Sequence, residues 1–185
     1  DNLQNKNLHY LTTSGIYQFA DVEFGVCAIT DLVEDWPIPS DMDASKPRIA
    51  LYHGPVNQAK TDAGYMVTNR VTVERFAGYD MVLLGDIHKT QILQEYGGKG
   101  IPEVFYPGSL IQQNHGESLT GHGYGVWNVS TCTVEEYVEV ENKYGYHTIR
   151  LTNATMPNIS GLPENLRLRL MVGDVDATLV KKVQA

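Results

Sequence analysis

Apolar positions along the chain fall in short alternating runs separated by turn-forming residues, a pattern of strands rather than long helices. Gly15-Ile16-Tyr17-Gln18-Phe19-Ala20-Asp21-Val22 and Glu23-Phe24-Gly25-Val26-Cys27-Ala28-Ile29 predict a strand pair closing on a short turn. An acidic loop from Asp31 to Pro47, carrying Pro37 and Pro39 as well, leads to a compact strand, Arg48 to Tyr52, that ends at His53-Gly54-Pro55. Residues 57–78 read as loop with a short helix around Thr72 to Phe76. A second buried strand, Met81 to Leu84, ends at Gly85-Asp86-Ile87-His88.

Downstream, Gln91 to Tyr96 and Glu103 to Tyr106 flank the turn Gly97-Gly98-Lys99-Gly100, as in a hairpin. Gly123 to Val129 and Thr133 to Glu141 predict two further strands. Tyr146 to Leu151 reads as another, and Leu166 to Val172 alternates so regularly that it should lie half-buried in a sheet. After Gly173-Asp174, residues Ala177 to Val183 begin a helix. A strand entering a helix with no following partner reads as an unfinished unit. The opening Asp1-Asn2-Leu3-Gln4-Asn5-Lys6, without an initiator Met or a signal segment, likewise suggests a piece cut from a longer protein.

Composition narrows the class. The 185 residues are 42% hydrophobic and 19% charged, the make-up of a globular chain rather than a disordered one. No apolar run is long enough to cross a membrane as a helix, so no membrane partner is expected. With 14 basic and 22 acidic residues the net charge is −8, which argues against holding DNA through the chain's own electrostatics. It leaves open an enzyme that cuts nucleic acid through bound cations. Cys27 and Cys132 match no metal or redox spacing and read as reduced thiols of a cytoplasmic protein.

Three residues carry candidate chemistry: His53, Asp86 and His88. Each sits at or just past the end of an apolar strand, where open α/β sheets place their sites. Asp86 and His88 are two apart, so an extended segment can turn both to one side. Imidazole with carboxylate suits Mn, Fe or Zn, and added carboxylate tilts the choice toward Mn. The plainer alternative is a strand-end histidine and a polar turn.

At these residues the chain resembles the calcineurin-like metallophosphoesterases, in particular Mre11/SbcD-type DNA nucleases and their phage and viral relatives. In that family a strand-end His is followed, some thirty residues on, by Gly-His-x-His. Here His53 precedes Gly85-Asp86-Ile87-His88, with Asp86 33 positions after His53. Tyr79 through Lys89 resembles the nuclease branch, as do Tyr106-Pro107-Gly108-Ser109-Leu110, Gln112, Gly116-Glu117 and Gly123-Tyr124-Gly125-Val126. Two departures stand out. Asp86 replaces the first His of Gly-His-x-His, and the other ligand motifs, Asp-x-His, Gly-Asp-x-x-Asp and Gly-Asn-His-Asp, belong to an amino-terminal half that would precede Asp1.

The resemblance implies an α/β fold (α+β over this stretch), namely a partial metallophosphoesterase β-sandwich with flanking helices. Residues 1–143 would be its carboxyl-terminal part and 144–185 the start of a small capping domain that orients DNA. It implies two divalent metals, Mn first and Mg, Fe or Zn as alternatives, with His53 and Asp86 on one ion and His88 on the other. A metal-activated water would attack the scissile phosphate in line, and the leaving-group histidine would lie upstream in Gly-Asn-His-Asp. The parent would be a DNA exo- or endonuclease of repair or recombination, partnered by a Rad50/SbcC-type ATPase, with this piece inactive alone. A location in the cytoplasm, or in the nucleus or host cytoplasm, fits that role.

Lys89, Ser109, His115 and His122 are further candidates for substrate contact, set against solvated or turn roles. The open sheet edge left by truncation predicts self-association, hence a possible homodimer. A phosphoesterase on nucleotides or phosphoproteins, and a non-catalytic assembly module that retains the fold, are the rival readings.

Overall fold

A computed structural model describes residues 8–151, 158–173 and 177–184. The opening residues 1–7, and Asp174, lie outside them. The centre is a six-stranded sheet built from β1 (Gly15–Phe19), β2 (Val22–Cys27), β3 (Arg48–His53), β4 (Met81–Gly85), β5 (Gln91–Gln94) and β6 (Glu103–Tyr106). Its order is β1-β2-β3-β4-β6-β5, parallel from β2 through β6, with antiparallel strands at both edges. Two small sheets follow. One is the antiparallel ribbon of β7 (Gly123–Asn128) and β8 (Thr133–Glu139); the other is the parallel pair β9 (Tyr144–Leu151) and β10 (Asn165–Val172).

The expected sandwich with flanking helices is not what the chain forms. Among the described residues the one α-helix is α1 (Ala177–Gln184), past the last strand. The connections over the sheet are irregular, with single 3-10 turns at Val33–Asp35, Pro39–Asp41 and Val73–Phe76. Local chemistry explains this. A residue before proline is pushed out of the helical region, and Trp36 before Pro37 and Ile38 before Pro39 are both extended. The short helix expected around 72–76 is a 3-10 turn that runs into extended Ala77 and then Gly78 at φ +92°. Among the described residues the sheets beyond the central one are two-stranded ribbons, and no second broad sheet closes a sandwich.

One face of the sheet nonetheless acquires a core. Cys27, Ala50, Tyr52, Val82, Leu84, Val104 and Tyr106 point into it, and the loops fold back to supply Trp36, Met42, Val56, Val71, Phe76 and Tyr79. Tyr79 lies across Gly25, where any Cβ would collide with its ring, and donates its hydroxyl to the Pro37 carbonyl at 2.7 Å. Trp36 Nε1 donates to the Ala28 carbonyl at 2.9 Å. On the opposite face Phe105 packs edge-on against Trp127 and Tyr137 of the β7–β8 ribbon, at 6.2 and 6.3 Å between ring centres. Tyr124, on the same ribbon, is exposed.

The register of β3 on β4 is clamped at their starts. Asp80 Oδ2 accepts the Arg48 backbone N–H at 2.9 Å and its Nε at 3.3 Å, while the Asp80 N–H donates to the Arg48 carbonyl at 2.8 Å. Both side chains are largely sheltered, which makes the pair less screened than a surface ion pair. Because side chains alternate faces, a one-residue slip here would turn the core-facing side chains of the slipped strand to the other face. The clamp therefore decides what stands side by side at the carboxyl edge.

Candidate functional site

At that edge His53, the last residue of β3, is paired with Gly85, the last of β4. The imidazole stands over the glycine: a Cβ at position 85 would come 2.5 Å from His53 Nδ1, so only glycine leaves room. Asp86 follows at φ +94°, a backbone conformation that side-chain-bearing residues rarely adopt. Such a conformation costs on the order of 1–3 kcal/mol and clusters at ligand clamps and switches; Ala20, Gln58 and Cys132 also have positive φ. Ile87 turns into the core and is buried, leaving Asp86 and His88 exposed on either side of it.

The turn after His53 is braced from β6. The Tyr106 hydroxyl donates to the Gly54 carbonyl at 2.6 Å and accepts the Val56 N–H at 3.0 Å, all of it buried. Burial pushes the Tyr52 and Tyr106 hydroxyls up, and the nearby Asp86 carboxylate adds to both shifts. Both phenols therefore stay protonated and serve as hydrogen-bonding props.

His88 is held by a residue that its sequence neighbourhood does not contain. Its Nδ1 lies 2.8 Å from Glu117 Oε1. That carboxylate, 7% exposed against 45% for the histidine side chain, also accepts the Gln113 N–H at 2.7 Å and the Asn114 amide at 2.5 Å. Gln112 secures the loop from beneath, donating to the carbonyls of Glu117 and Tyr146 at 2.9 Å each and accepting the Tyr146 N–H at 2.6 Å. Asp86, His88, Asn114 and Glu117 line a cleft of about 260 Å³, whose other wall includes Thr61 and Asp62. Asp62 Oδ2 is buried there without a hydrogen-bond partner among the described residues.

The remaining candidates are placed differently. Ser109 and His122 are buried and bound to each other, Oγ to Nδ1 at 3.0 Å, and His122 Nε2 donates to the Ser118 carbonyl at 2.8 Å. Their polar atoms are committed inside the protein, so both act as a brace behind the edge rather than facing a substrate. The Ser109 N–H does reach the edge, donating to the His88 carbonyl at 3.0 Å. His115 leaves the cleft and packs edge-on against Tyr146 of β9, with Nδ1 3.5 Å from Thr148 Oγ1. Lys89 is half-buried beside His88, and its carbonyl accepts from Gln91 Nε2 at 3.1 Å.

His53 lines a separate cavity of about 740 Å³ on the open sheet face, with Tyr10, Val26, Leu51 and Leu83. The donor types at the edge, imidazoles and carboxylates, suit a divalent cation, and Asp62 adds an unused carboxylate oxygen. Even so, no three His, Cys, Asp or Glu side chains among the described residues converge closely enough to hold one. The described residues do not by themselves fit a metal.

Glu117 and Asp62 are the cleft residues that sequence reading passes over. Gly116-Glu117 belongs to the run that resembles the nucleases, but nothing in its spacing says that it meets His88. Asp62 sits in a tight loop, with the Gly64 N–H bonded to the Thr61 carbonyl, that only the tertiary fold swings to the edge.

No known family profile matches the chain. It is similar to an uncharacterized protein of Acanthamoeba polyphaga mimivirus, at 38% identity over 185 residues. That alignment takes in 96% of this chain but 13% of the viral protein, so the chain spans a small part of the relative's length. No helix among the described residues is long and apolar enough to cross a membrane.

Proposed function

We propose that the carboxyl edge of the central sheet contributes to a metal-dependent phosphodiesterase centre of DNA-nuclease type. The observation that carries this reading is the β3–β4 register, which sets His53 against Gly85 and leaves Asp86, at φ +94°, and His88 immediately beyond it. Backbone strain at one of three ligand-type residues on one strand edge is better explained by a ligand than by a plain turn. In this reading His53, Asp86 and His88 are part of a ligand set for divalent cations, Mn²⁺ first, completed by groups beyond the described residues. With a net charge of −8, DNA would be held through those cations and through a basic surface on an ATPase partner of the Rad50/SbcC kind.

Among the described residues no three ligand-type side chains converge, and the second reading is a non-catalytic assembly module. One assay separates the two. The full-length polypeptide containing this chain is given end-labelled duplex DNA with Mn²⁺, in parallel with bis-p-nitrophenyl phosphate. Nuclease function predicts DNA degradation that falls more than about 100-fold in Asp86→Ala and His88→Ala, beyond what an outer-shell substitution typically costs. Cleavage of the small ester alone would point to a nucleotide or phosphoprotein phosphoesterase. No hydrolysis of either, with or without the ATPase partner, would leave the assembly module.

A further inference from the structure

We infer that Glu117 is a positioning residue that locks His88 in the Nδ1–H tautomer and so presents a bare Nε2 at the cleft. The argument begins with what a carboxylate can do: ionised, it only accepts. With Glu117 Oε1 at 2.8 Å, His88 Nδ1 must be the donor, and in the neutral ring the proton is then absent from Nε2. Among the described residues Nε2 has no hydrogen-bond partner, although His88 lines the cleft.

Glu117 is the fixed member of the pair. Its two oxygens already take the Gln113 N–H and the Asn114 amide, and its side chain is 7% exposed. The loop that carries it is tied through Gln112 to the backbone of Tyr146 on β9. The imidazole, 45% exposed and two residues beyond a strained Asp86, is the member being oriented. A carboxylate seated on the far nitrogen sets both the ring plane and the basicity of the near one, a common way of tuning a histidine that meets an electrophile. The catalytic meaning of this arrangement rests on the phosphodiesterase reading, but the tautomer itself does not.

The test is therefore spectroscopic. The full chain is labelled with ¹⁵N-histidine, His88 is assigned by difference from His88→Gln, and long-range ¹H–¹⁵N correlations are recorded in mildly alkaline buffer. Protonated and bare ring nitrogens are resolved directly. Wild type should show Nδ1 protonated and Nε2 bare. Glu117→Ala should shift His88 to the Nε2–H form that free imidazole side chains prefer, with the other histidines unchanged. Glu117→Gln, whose amide oxygen can still accept, should restore the Nδ1–H form.

A wild-type His88 protonated at Nε2 would overturn the inference, as would a tautomer unchanged in a folded Glu117→Ala protein. Should the alanine variant fail to fold, the wild-type and Glu117→Gln spectra decide the matter alone. Absence of DNA or ester hydrolysis would remove the phosphodiesterase reading and leave the tautomer standing. Hydrolysis by a protein whose His88 carries its proton on Nε2 would remove the inference and leave the reading.

Discussion

The central sheet and the β9–β10 pair are both strand sequence, with unbroken apolar runs in β3 and β4 and apolar–polar alternation in β10, and they end in different surroundings. In the sheet, Ala50, Val82 and Val104 are fully buried because the loops between strands return Trp36, Val71, Phe76 and Tyr79 onto them. In β10, Leu168, Met171 and Val172 remain 39, 47 and 49% exposed, although Ile149 and Leu151 of the neighbouring β9 are buried. Alternation states which residues share a face. Whether anything covers that face depends on chain far away in sequence, and that is the lesson of the pair.

The sharpest way to break the comparison is to cut a large side chain from each region. Phe76→Ala removes a fully buried ring from the sheet core and should cost about 3–5 kcal/mol in denaturant unfolding. A cost near zero would mean that the loops do not form this core. Next comes Tyr106→Phe, which keeps the ring but strips the hydroxyl that bridges Gly54 and Val56. Leaving a buried N–H without its acceptor should cost about 1–3 kcal/mol. The same substitution should loosen the turn that carries His53, seen as faster amide exchange at Val56.

Leu168→Ala in the exposed ribbon should fall within about 0.5 kcal/mol of wild type. A larger loss would show that something covers this face.

The smallest effect is a pH dependence confined to the sheet's first corner. The Ser14 N–H donates to Asp31 Oδ2 at 2.7 Å, and this bond holds the Asp31 carboxyl below its ordinary range. A carboxylate depressed in the folded state contributes stability above its unfolded value and loses it as pH falls through the folded one. Asp31→Asn should therefore flatten part of the acid limb of a stability–pH curve. In the ribbon the Lys143–Glu164 pair, 4.0 Å apart and exposed, should contribute almost nothing at any pH. An acid limb unchanged by Asp31→Asn would locate the titrating groups elsewhere.

Much of the strand framework was readable from residue order, down to the polar endings of β3 and β4. Both strands are short apolar runs closed by glycine, and such runs need no knowledge of their partners. The covering elements were not readable. The family resemblance suggests helices on the sheet, whereas prolines and extended residues leave only 3-10 turns at Val33–Asp35 and Pro39–Asp41. Ser109 and His122 look like polar loop residues available to a substrate, but folding turns them toward each other and buries them.

Local order along the chain thus suffices for the strands, for the glycines that follow or close them, and for the three ligand-type residues at strand ends. These depend on period, backbone freedom and side-chain chemistry, all carried by neighbours in sequence. Folding alone brings Glu117 to His88 across 29 residues, brings Asp62 to the same cleft, and closes loops over one sheet face while leaving much of β10 bare. Such pairings form when distant segments gain more by meeting than they lose in loop entropy. No local pattern records that balance.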